Sequence, residues 1–136
     1  MSTIFTKIIN KEIPAHFIYE DDVCAVFLDA FPIVPGQSLI VSKHEASYLF
    51  DLPEDEYLHL HKIAKKIALA SDRVLDVSRT CTIVEGFEVP HVHIKLYPMP
   101  HDQNFKRLAD EAKEPIAVTE EEFAITAAKI KEALED

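Results

Sequence analysis

The stretch at 91–98, HVHIKLYP, decides the fold of this chain and indicates its chemistry. Its polar side chains, His91, His93 and Lys95, alternate with apolar ones. Because successive side chains of an extended strand point to opposite faces, the pattern predicts one aliphatic face and one nitrogen-rich face. Two imidazoles and an ammonium group cost free energy when they are buried without a partner. The nitrogen-rich face is therefore the predicted active site, where an anionic ligand or a chemical role would satisfy these groups.

Hydrophobic periodicity along the rest of the chain predicts an α+β domain with a five-stranded antiparallel sheet and one long helix. The predicted strands lie at 17–19, 23–28, 38–42, 80–84 and 89–97, and Pro98 and Pro100 are expected to end the last one. The predicted helices lie at 3–10, at 53–75 and, after a capping box, from 119 onward.

Two of these helices carry side chains that are predicted to pack against the rest of the domain. The stripe of the long helix consists of Leu60, Ile63, Ala64, Ile67 and Ser71. The side chains available for packing along the C-terminal helix are Phe123, Ile125, Ala127, Ile130 and Leu134. The set on the long helix forms the apolar stripe of an amphipathic helix.

Composition limits the classes of function. A chain of 136 residues with 48% hydrophobic residues is long enough to form one domain with its own core. The net charge of −10 argues against a nonspecific nucleic-acid binder, although a local cluster of donors can still hold a small nucleotide. No apolar run would span a bilayer and the N-terminus has no secretory pattern, so we expect a cytoplasmic protein without membrane contact. Cys24 and Cys81 are isolated and are expected to be reduced thiols.

Three collinear segments carry a family resemblance. They are TIFTKIINKEIPA at 3–15, YEDDVCAVFLDAFPIVPGQSLIVSKH at 19–44 and GFEVPHVHIKLYP at 86–98. Together they resemble the histidine triad (HIT) family, whose signature is His-φ-His-φ-His-φ-φ with φ apolar. The resemblance implies a HIT-like domain at 1–100. The tail at 101–136 lies beyond the matching segments, and we predict a C-terminal extension there whose helix packs on the same domain. The resemblance also implies a homodimer that pairs through the long helix and a sheet edge.

The resemblance further implies hydrolysis or transfer at the α-phosphate of a purine nucleotide or nucleotide conjugate. The substrate would be a nucleoside phosphoramidate or a dinucleoside polyphosphate, with His93 as the nucleophile that forms a nucleotidyl-histidine intermediate. For His91 we prefer a supporting role, in which it orients His93 through a hydrogen bond, to that of a second nucleophile. No cofactor is implied.

Three positions depart from the family pattern. Lys95 replaces the third histidine, Gln37 stands where a histidine usually follows Pro-Gly, and Phe87 replaces a glutamine. A lysine can hold phosphate oxygens as a point charge and favours a neutral His93, but it transfers protons poorly near pH 7. Gln37 is a candidate nucleotide-binding residue, which can form hydrogen bonds but cannot titrate. The departures leave two readings open: a slow or retuned enzyme, and a non-catalytic nucleotide-binding or interaction protein with a decayed site.

The resemblance also names nucleotide-binding positions. Asp29 matches a residue that binds the ribose hydroxyls, although an aspartate at a strand end is also a common turn residue. The matching wall around the base consists of Ile4, Phe5, Ile8 and Phe27, which would serve equally well in the core.

A metal site is not predicted. Some relatives hold zinc through a Cys-x-x-Cys whose places here are Thr3 and Thr6, and His44 and His91 alone do not close a tetrahedral site. A third reading, adventitious metal binding by His91 and His93, is disfavoured because the cationic Lys95 would repel a metal ion.

Overall fold

The computed structural model describes residues 2–110 and 114–135. Met1 of the predicted domain at 1–100, and 111–113 and Asp136 of the predicted extension at 101–136, lie outside the described residues. The helices are α1 (Ile4–Ile9), α2 (Glu54–Val74), α3 (Phe105–Ala109) and α4 (Glu120–Ala133), with a 3₁₀ turn at Leu49–Asp51. The strands are β1 (Phe17–Glu20), β2 (Cys24–Leu28), β3 (Ser38–Ser42), β4 (Arg79–Ile83) and β5 (His93–Met99). The predicted α+β fold with a five-stranded antiparallel sheet is confirmed.

The order of the strands across the sheet is β1-β2-β3-β5-β4, and every neighbouring pair is antiparallel. The register aligns residues of different strands in rows on one face. These rows are Ala25–Val41–His93 and Phe27–Leu39–Lys95–Ile83. His93 and Lys95 therefore lie on one face, which we call the His93 face.

The opposite face of the sheet carries the main core. Val92, Ile94 and Leu96 are 1–2% exposed and pack in one cluster with α2 and α4, so the predicted aliphatic face is confirmed. All five predicted stripe residues of α2 are buried there as well. Full burial of one such aliphatic side chain stabilises the fold by about 1.5–3 kcal/mol.

The C-terminal helix adds to this core through one side only. Thr119 and Glu122 form the predicted capping box, and Ala127, Ile130 and Ala133 are buried. The prediction was wrong for Ile125, which is 49% exposed. At about 100° per residue its side chain points away from the stripe that contains Ala127 and Ile130.

The limits of β5 also differ from the prediction. The strand begins at His93 rather than at 89, because Val92 donates to the carbonyl of Ala46 outside the regular ladder. Its end was predicted wrongly too, since Pro98 lies inside the strand and pairs with Thr80. The pairing with β3 reaches only to Leu96, so Pro98 has a neighbour on one side and its missing N–H leaves no gap in a ladder.

On the His93 face, α1 and the C-terminal segment lie at different ends. Helix α1 buries Phe5 and Ile8 against β2 and β3. The segment after β5 was not predicted to contain α3, whose Arg107 donates to the carbonyl oxygen of Ile33 at 2.8 Å. The backbone N–H of Ile116 bonds the carbonyl of Pro32, so this segment follows the loop after β2. Among the described residues, no helix is both long enough and apolar enough to cross a membrane.

Candidate active site

His93 opens β5, and one hydrogen bond fixes which of its ring nitrogens is available. Its Nδ1 lies 2.6 Å from the backbone carbonyl oxygen of His91. A carbonyl oxygen can only accept, so Nδ1 carries the proton and Nε2 keeps its lone pair. Within the described parts of the chain Nε2 has no hydrogen-bond partner. The ring also packs edge-on against Phe5, with the centroids 4.8 Å apart, which limits its rotation.

Burial and a neighbouring charge set the protonation state of this imidazole. Burial lowers the pKa of His93, the bond to the carbonyl of His91 opposes this effect, and the positive charge of Lys95 lowers the pKa further. His93 is therefore neutral at neutral pH. A neutral imidazole with a free Nε2 is the form that can attack an electrophile.

The ring of His91 is used entirely within the fold. Its Nε2 donates to the carbonyl oxygen of Ser42 at 2.6 Å, so its Nδ1 accepts from the hydroxyl of Thr3 at 2.7 Å. The same Thr3 oxygen accepts the backbone N–H groups of Phe5 and Thr6 and caps α1. His91 is fully buried and ties α1 to β3, and its backbone carbonyl, not its ring, touches His93.

Lys95 lies on the same face in an ion pair. Its Nζ is 3.3 Å from Oε1 of Glu85, which belongs to the connection between β4 and β5. Burial alone would raise the pKa of Glu85, but the charge of Lys95 and the backbone amides of Phe87 and Glu88 hold it below its usual value. The carboxylate of Glu85 is therefore ionised at neutral pH. Phe87 itself is 89% exposed.

Asp29 and Gln37 are brought together where β2 ends and β3 begins. The side-chain N–H of Gln37 donates to Oδ2 of Asp29 at 2.7 Å, and the backbone N–H of Phe31 donates to Oδ1 at 2.9 Å. Gln37 is 4% exposed, and its side-chain oxygen accepts the N–H of Ile33 at 2.7 Å. The amide of Gln37 therefore holds Asp29 and the following loop, while each oxygen of Asp29 keeps acceptor capacity.

The predicted apolar wall divides into buried and exposed parts. Phe5, Ile8 and Phe27 are 7%, 9% and 1% exposed and belong to one cluster beneath α1. Ile4 is 48% exposed. Phe5 is the member of this cluster whose ring contacts both His91 and His93. The other two buried side chains serve mainly as support for Phe5 and the sheet.

Sequence reasoning missed two groups on this face. Tyr97 is two residues beyond Lys95 and faces the same way, and its signal was the same two-residue period. Burial and the charges of Asp29, Glu88 and Glu85 raise the pKa of Tyr97 to about 12, so its hydroxyl stays protonated. Glu85 has no comparable signal in the sequence, because its position depends on how the connection folds.

The side chains considered as zinc ligands from the sequence form hydrogen bonds instead. The hydroxyl of Thr3 is used by the ring of His91, and Thr6 donates to Oε1 of Glu45 at 3.1 Å. His44 pairs with Glu56 at 3.1 Å. Threonine hydroxyls are poor zinc ligands, so these residues do not fit a structural zinc ion.

A cavity of about 690 Å³ lies elsewhere, between β1 and the end of α4, where Tyr19 and Leu134 contribute to its lining. Neither His93 nor Lys95 borders it. The chemistry of the side chains, not the size of a cavity, therefore identifies the candidate site.

Known proteins resemble the chain in sequence. The family model of the HIT domain matches residues 10–102. An uncharacterized HIT-like protein of Borreliella burgdorferi is 31% identical over 109 residues, which cover 75% of this chain and 78% of that protein. An adenosine 5′-monophosphoramidase of Saccharomyces cerevisiae is 34% identical over 96 residues, which cover 70% of this chain and 61% of that enzyme.

Solved structures agree in fold. A hypothetical histidine triad nucleotide-binding protein from Sulfolobus tokodaii superposes with a TM-score of 0.82 at 23% identity, covering 97% of this chain and 91% of that one. A zinc-bound histidine triad family protein from Mycobacterium smegmatis gives a TM-score of 0.79 at 20% identity, covering 99% and 94%. Similarity at these identities shows the fold alone. Together with the match at 10–102 and the 31% identical relative, it establishes that the chain belongs to the histidine triad (HIT) family.

Proposed function

We propose that the chain is a nucleotide hydrolase or transferase that acts at the α-phosphate of a purine nucleotide conjugate. The substrate is a nucleoside phosphoramidate or a dinucleoside polyphosphate. The observation that carries the proposal is the 2.6 Å bond from Nδ1 of His93 to a backbone carbonyl, which leaves Nε2 as a neutral, fixed nucleophile. The yeast relative that is an adenosine 5′-monophosphoramidase supports the same class of reaction.

The reaction proceeds in two displacements at phosphorus. Nε2 of His93 attacks the α-phosphorus, a P–N bond forms to the imidazole, and the bond from phosphorus to the leaving group breaks with its electron pair. An amine leaving group takes up a proton from solvent as it departs, and the water that attacks in the second displacement gives up a proton to solvent. Water or another acceptor then attacks the nucleotidyl-histidine, the P–N bond breaks, and the neutral imidazole and the nucleotide product are released.

Lys95 supplies the positive charge for the phosphoryl oxygens in this scheme. An ammonium group has three donors and holds phosphate oxygens as a point charge. His91 acts as a positioning residue, because both of its ring nitrogens are bonded within the fold and its carbonyl holds His93. The substitution of the third histidine thus retains charge stabilisation and gives up a group that titrates near pH 7.

Asp29 binds the ribose in the same proposal. A carboxylate offers about four acceptor sites, and the two hydrogen bonds from Phe31 and Gln37 leave room for two hydroxyl donors. Gln37 contributes by holding Asp29 in place. Phe5 and the half-exposed Ile4 form the apolar surface for the base.

A non-catalytic nucleotide-binding protein is the second candidate. The observation that favours it is the ion pair between Lys95 and Glu85, since a lysine paired with a carboxylate replaces a histidine that could transfer a proton. Binding of nucleotide by this face would need only Lys95, Asp29 and the apolar surface.

We also propose that two copies of the chain pair through β4, an edge strand of the sheet. Ile63 and Ile67 are not available for such a contact, because they are 2% and 1% exposed within the chain's own core. Leu69 on α2 is 47% exposed and remains available. Light scattering of the purified protein tests this, and a monomer mass across micromolar concentrations would reject the pairing.

The experiment that tests the activity measures release of AMP and GMP from their lysyl phosphoramidates, with wild type beside His93→Ala. We expect turnover by wild type and none by the variant, while both proteins bind AMP in a parallel titration with affinities within a few-fold. Equal turnover by both proteins would reject His93 as the nucleophile. Binding of AMP without turnover by wild type, on phosphoramidates and on dinucleoside polyphosphates, would favour the non-catalytic candidate.

A further inference from the structure

The connection between β4 and β5 brings a carboxylate to the His93 face. Ile83, the last residue of β4, pairs with Lys95 across the sheet, so the connection that contains Glu85 leaves the strand next to Lys95. Gly86 then turns the chain with a φ of +75°, a conformation that favours glycine. The short connection therefore places Glu85 beside Lys95, where the Oε1–Nζ distance is 3.3 Å.

The side chains of Lys95 and Glu85 are only 13% and 24% exposed, so each charge depends on the other. A poorly hydrated ammonium group costs free energy unless it is paired. Oε1 of Glu85 is buried and has no aligned hydrogen bond among the described residues. Its contact with Lys95 is therefore an ion pair rather than a directed hydrogen bond. Glu85 thus lies on one side of the ammonium group of Lys95, and the N–H groups on its other sides can donate to a ligand.

We propose that Glu85 is a positioning residue that holds the ammonium group of Lys95 on the His93 face, where a phosphoryl group binds. The pair supplies a positive charge at the position of the third histidine, without the proton transfer that a histidine could provide near pH 7. The inference rests on the proposed function, since it assigns Lys95 to the phosphoryl oxygens. Glu85 acts only through Lys95 and does not touch the reacting atoms.

A double-mutant cycle tests this assignment. Glu85→Gln keeps the shape and removes the charge, and Lys95→Met removes the ammonium group. We expect Glu85→Gln to lower kcat roughly tenfold beside Lys95 and to have no effect beyond about twofold in the Lys95→Met protein. An equal loss in both backgrounds would overturn the proposal, because Glu85 would then act independently of Lys95.

Matched variants separate positioning from a loss of folding. Glu88→Gln makes the same charge change at an exposed residue of the same connection, and we expect it to leave kcat within about twofold of wild type. Glu85→Asp restores a carboxylate one methylene shorter and should recover part of the activity. A loss in Glu88→Gln as large as that in Glu85→Gln would point to net charge and reject positioning.

A measurement without turnover separates this proposal from the proposed function. The carboxyl pKa of Glu85, followed by carbon-13 NMR, should rise in Lys95→Met, because the charge of Lys95 holds it down and burial raises it. The AMP affinities of wild type, Glu85→Gln, Lys95→Met and the double variant should follow the same pattern, with a loss from Glu85→Gln beside Lys95 and little or none in the Lys95→Met protein. If wild type fails to turn over any conjugate, the proposed function fails while these two measurements still judge the pair. An unchanged pKa of Glu85 in Lys95→Met would overturn the inference.

Discussion

Two aspartates flank β2, and their surroundings differ in a way that separates folding from function. Asp21 precedes the strand and accepts four hydrogen bonds: from the backbone N–H groups of Val23 and Cys24, the hydroxyl of Tyr19 and Nε2 of His59. Asp29 follows the strand and accepts two, from Phe31 and Gln37. Because an ionised carboxylate has about four acceptor sites, Asp21 is saturated and Asp29 is half free.

We call Asp21 and the groups bonded to it the closed cluster, and the contacts within it also shift pKa values. Burial would raise the pKa of Asp21, but the bonds from Tyr19, His59 and the backbone hold it well below its usual range. The bond to Asp21, with some burial, raises the pKa of Tyr19 to about 12. Burial, with the charge of Asp21, raises the pKa of the Cys24 thiol to about 12 as well. Asp21, Cys24 and His59 lie within metal-ligating distance of one another, but a protonated thiol and a saturated carboxylate are poor ligands.

The difference indicates which of the two carboxylates can still bind a ligand. Asp21 joins the turn between β1 and β2 to α2 through His59, so its hydrogen bonds stabilise the fold. Around Asp29 and His93, by contrast, acceptor sites and a ring nitrogen remain available. Buried or half-buried polar groups that lack partners in the protein alone are the ones expected to meet a ligand.

Breaking the closed cluster should give the largest effect on stability. Asp21→Ala removes a charged acceptor and leaves its donors without a partner, so we expect a loss of about 2–3 kcal/mol in the free energy of unfolding. Urea denaturation measures it, with the exposed neighbour Asp22→Ala as the control. Turnover per folded molecule should not change. A loss no larger than that of the control would mean that the four bonds do not stabilise the fold.

Breaking the half-free carboxylate should affect binding more than stability. Asp29→Ala removes an acceptor for the ribose hydroxyls, and we expect roughly a tenfold loss of AMP affinity, as for one charged hydrogen bond. The 2′,3′-dideoxy analogue should lose little, because it has no hydroxyl to lose. Isothermal titration of both ligands checks this, and equal losses would reject the ribose contact.

The pH dependence should sharpen the comparison with the smallest effect. The lowered pKa of His93 keeps the ring neutral in moderate acid, so the acid limb of kcat/KM should lie below the ordinary histidine value of about 6.5. Protonation of His93 also favours the unfolded chain, so stability falls as the pH drops below that value. The lowered pKa of Asp21 acts in the same direction but with an onset at lower pH: its stabilisation is complete above the unfolded value of about 3.9 and is lost as the pH falls toward its folded value.

Rate and unfolding profiles between pH 3 and 8 would measure both effects. The Asp21→Ala protein should lack the part of the stability loss in strong acid that the lowered pKa of Asp21 causes. An acid limb at or above the ordinary histidine value would contradict the neutral His93.

Local patterns predicted most of the fold. The alternation at 91–98 predicted the buried row of Val92, Ile94 and Leu96, because a strand's side-chain period does not depend on distant residues. The stripe of α2 and the capping box at 119–122 were predicted for the same reason. Errors occurred where a neighbouring strand determines whether a residue fits. Pro98 is tolerated inside β5 because the pairing with β3 ends before it.

The candidate site was only partly predictable. His93, Lys95 and Asp29 stand at positions that the family pattern names. Strand β5 places His93 and Lys95 on one face, and Asp29 directly follows β2, whose Phe27 lies in the same row as Lys95. Their hydrogen bonds were not predictable. The sequence does not show that the ring of His91 is bound by Thr3 and Ser42, or that Gln37 holds Asp29, since these partners come from separate elements.

The sequence by itself determined the strand and helix periods, the aliphatic core and the family, and it named His93 as the candidate nucleophile. Only the tertiary structure decided the free nitrogen of His93, the pairing of Lys95 with Glu85 and the unequal saturation of Asp21 and Asp29. The physical reason is the distance along the chain over which each kind of interaction acts. Backbone periodicity and caps act over a few residues, whereas the state of a polar group depends on which donors and charges the folded chain brings within hydrogen-bonding distance.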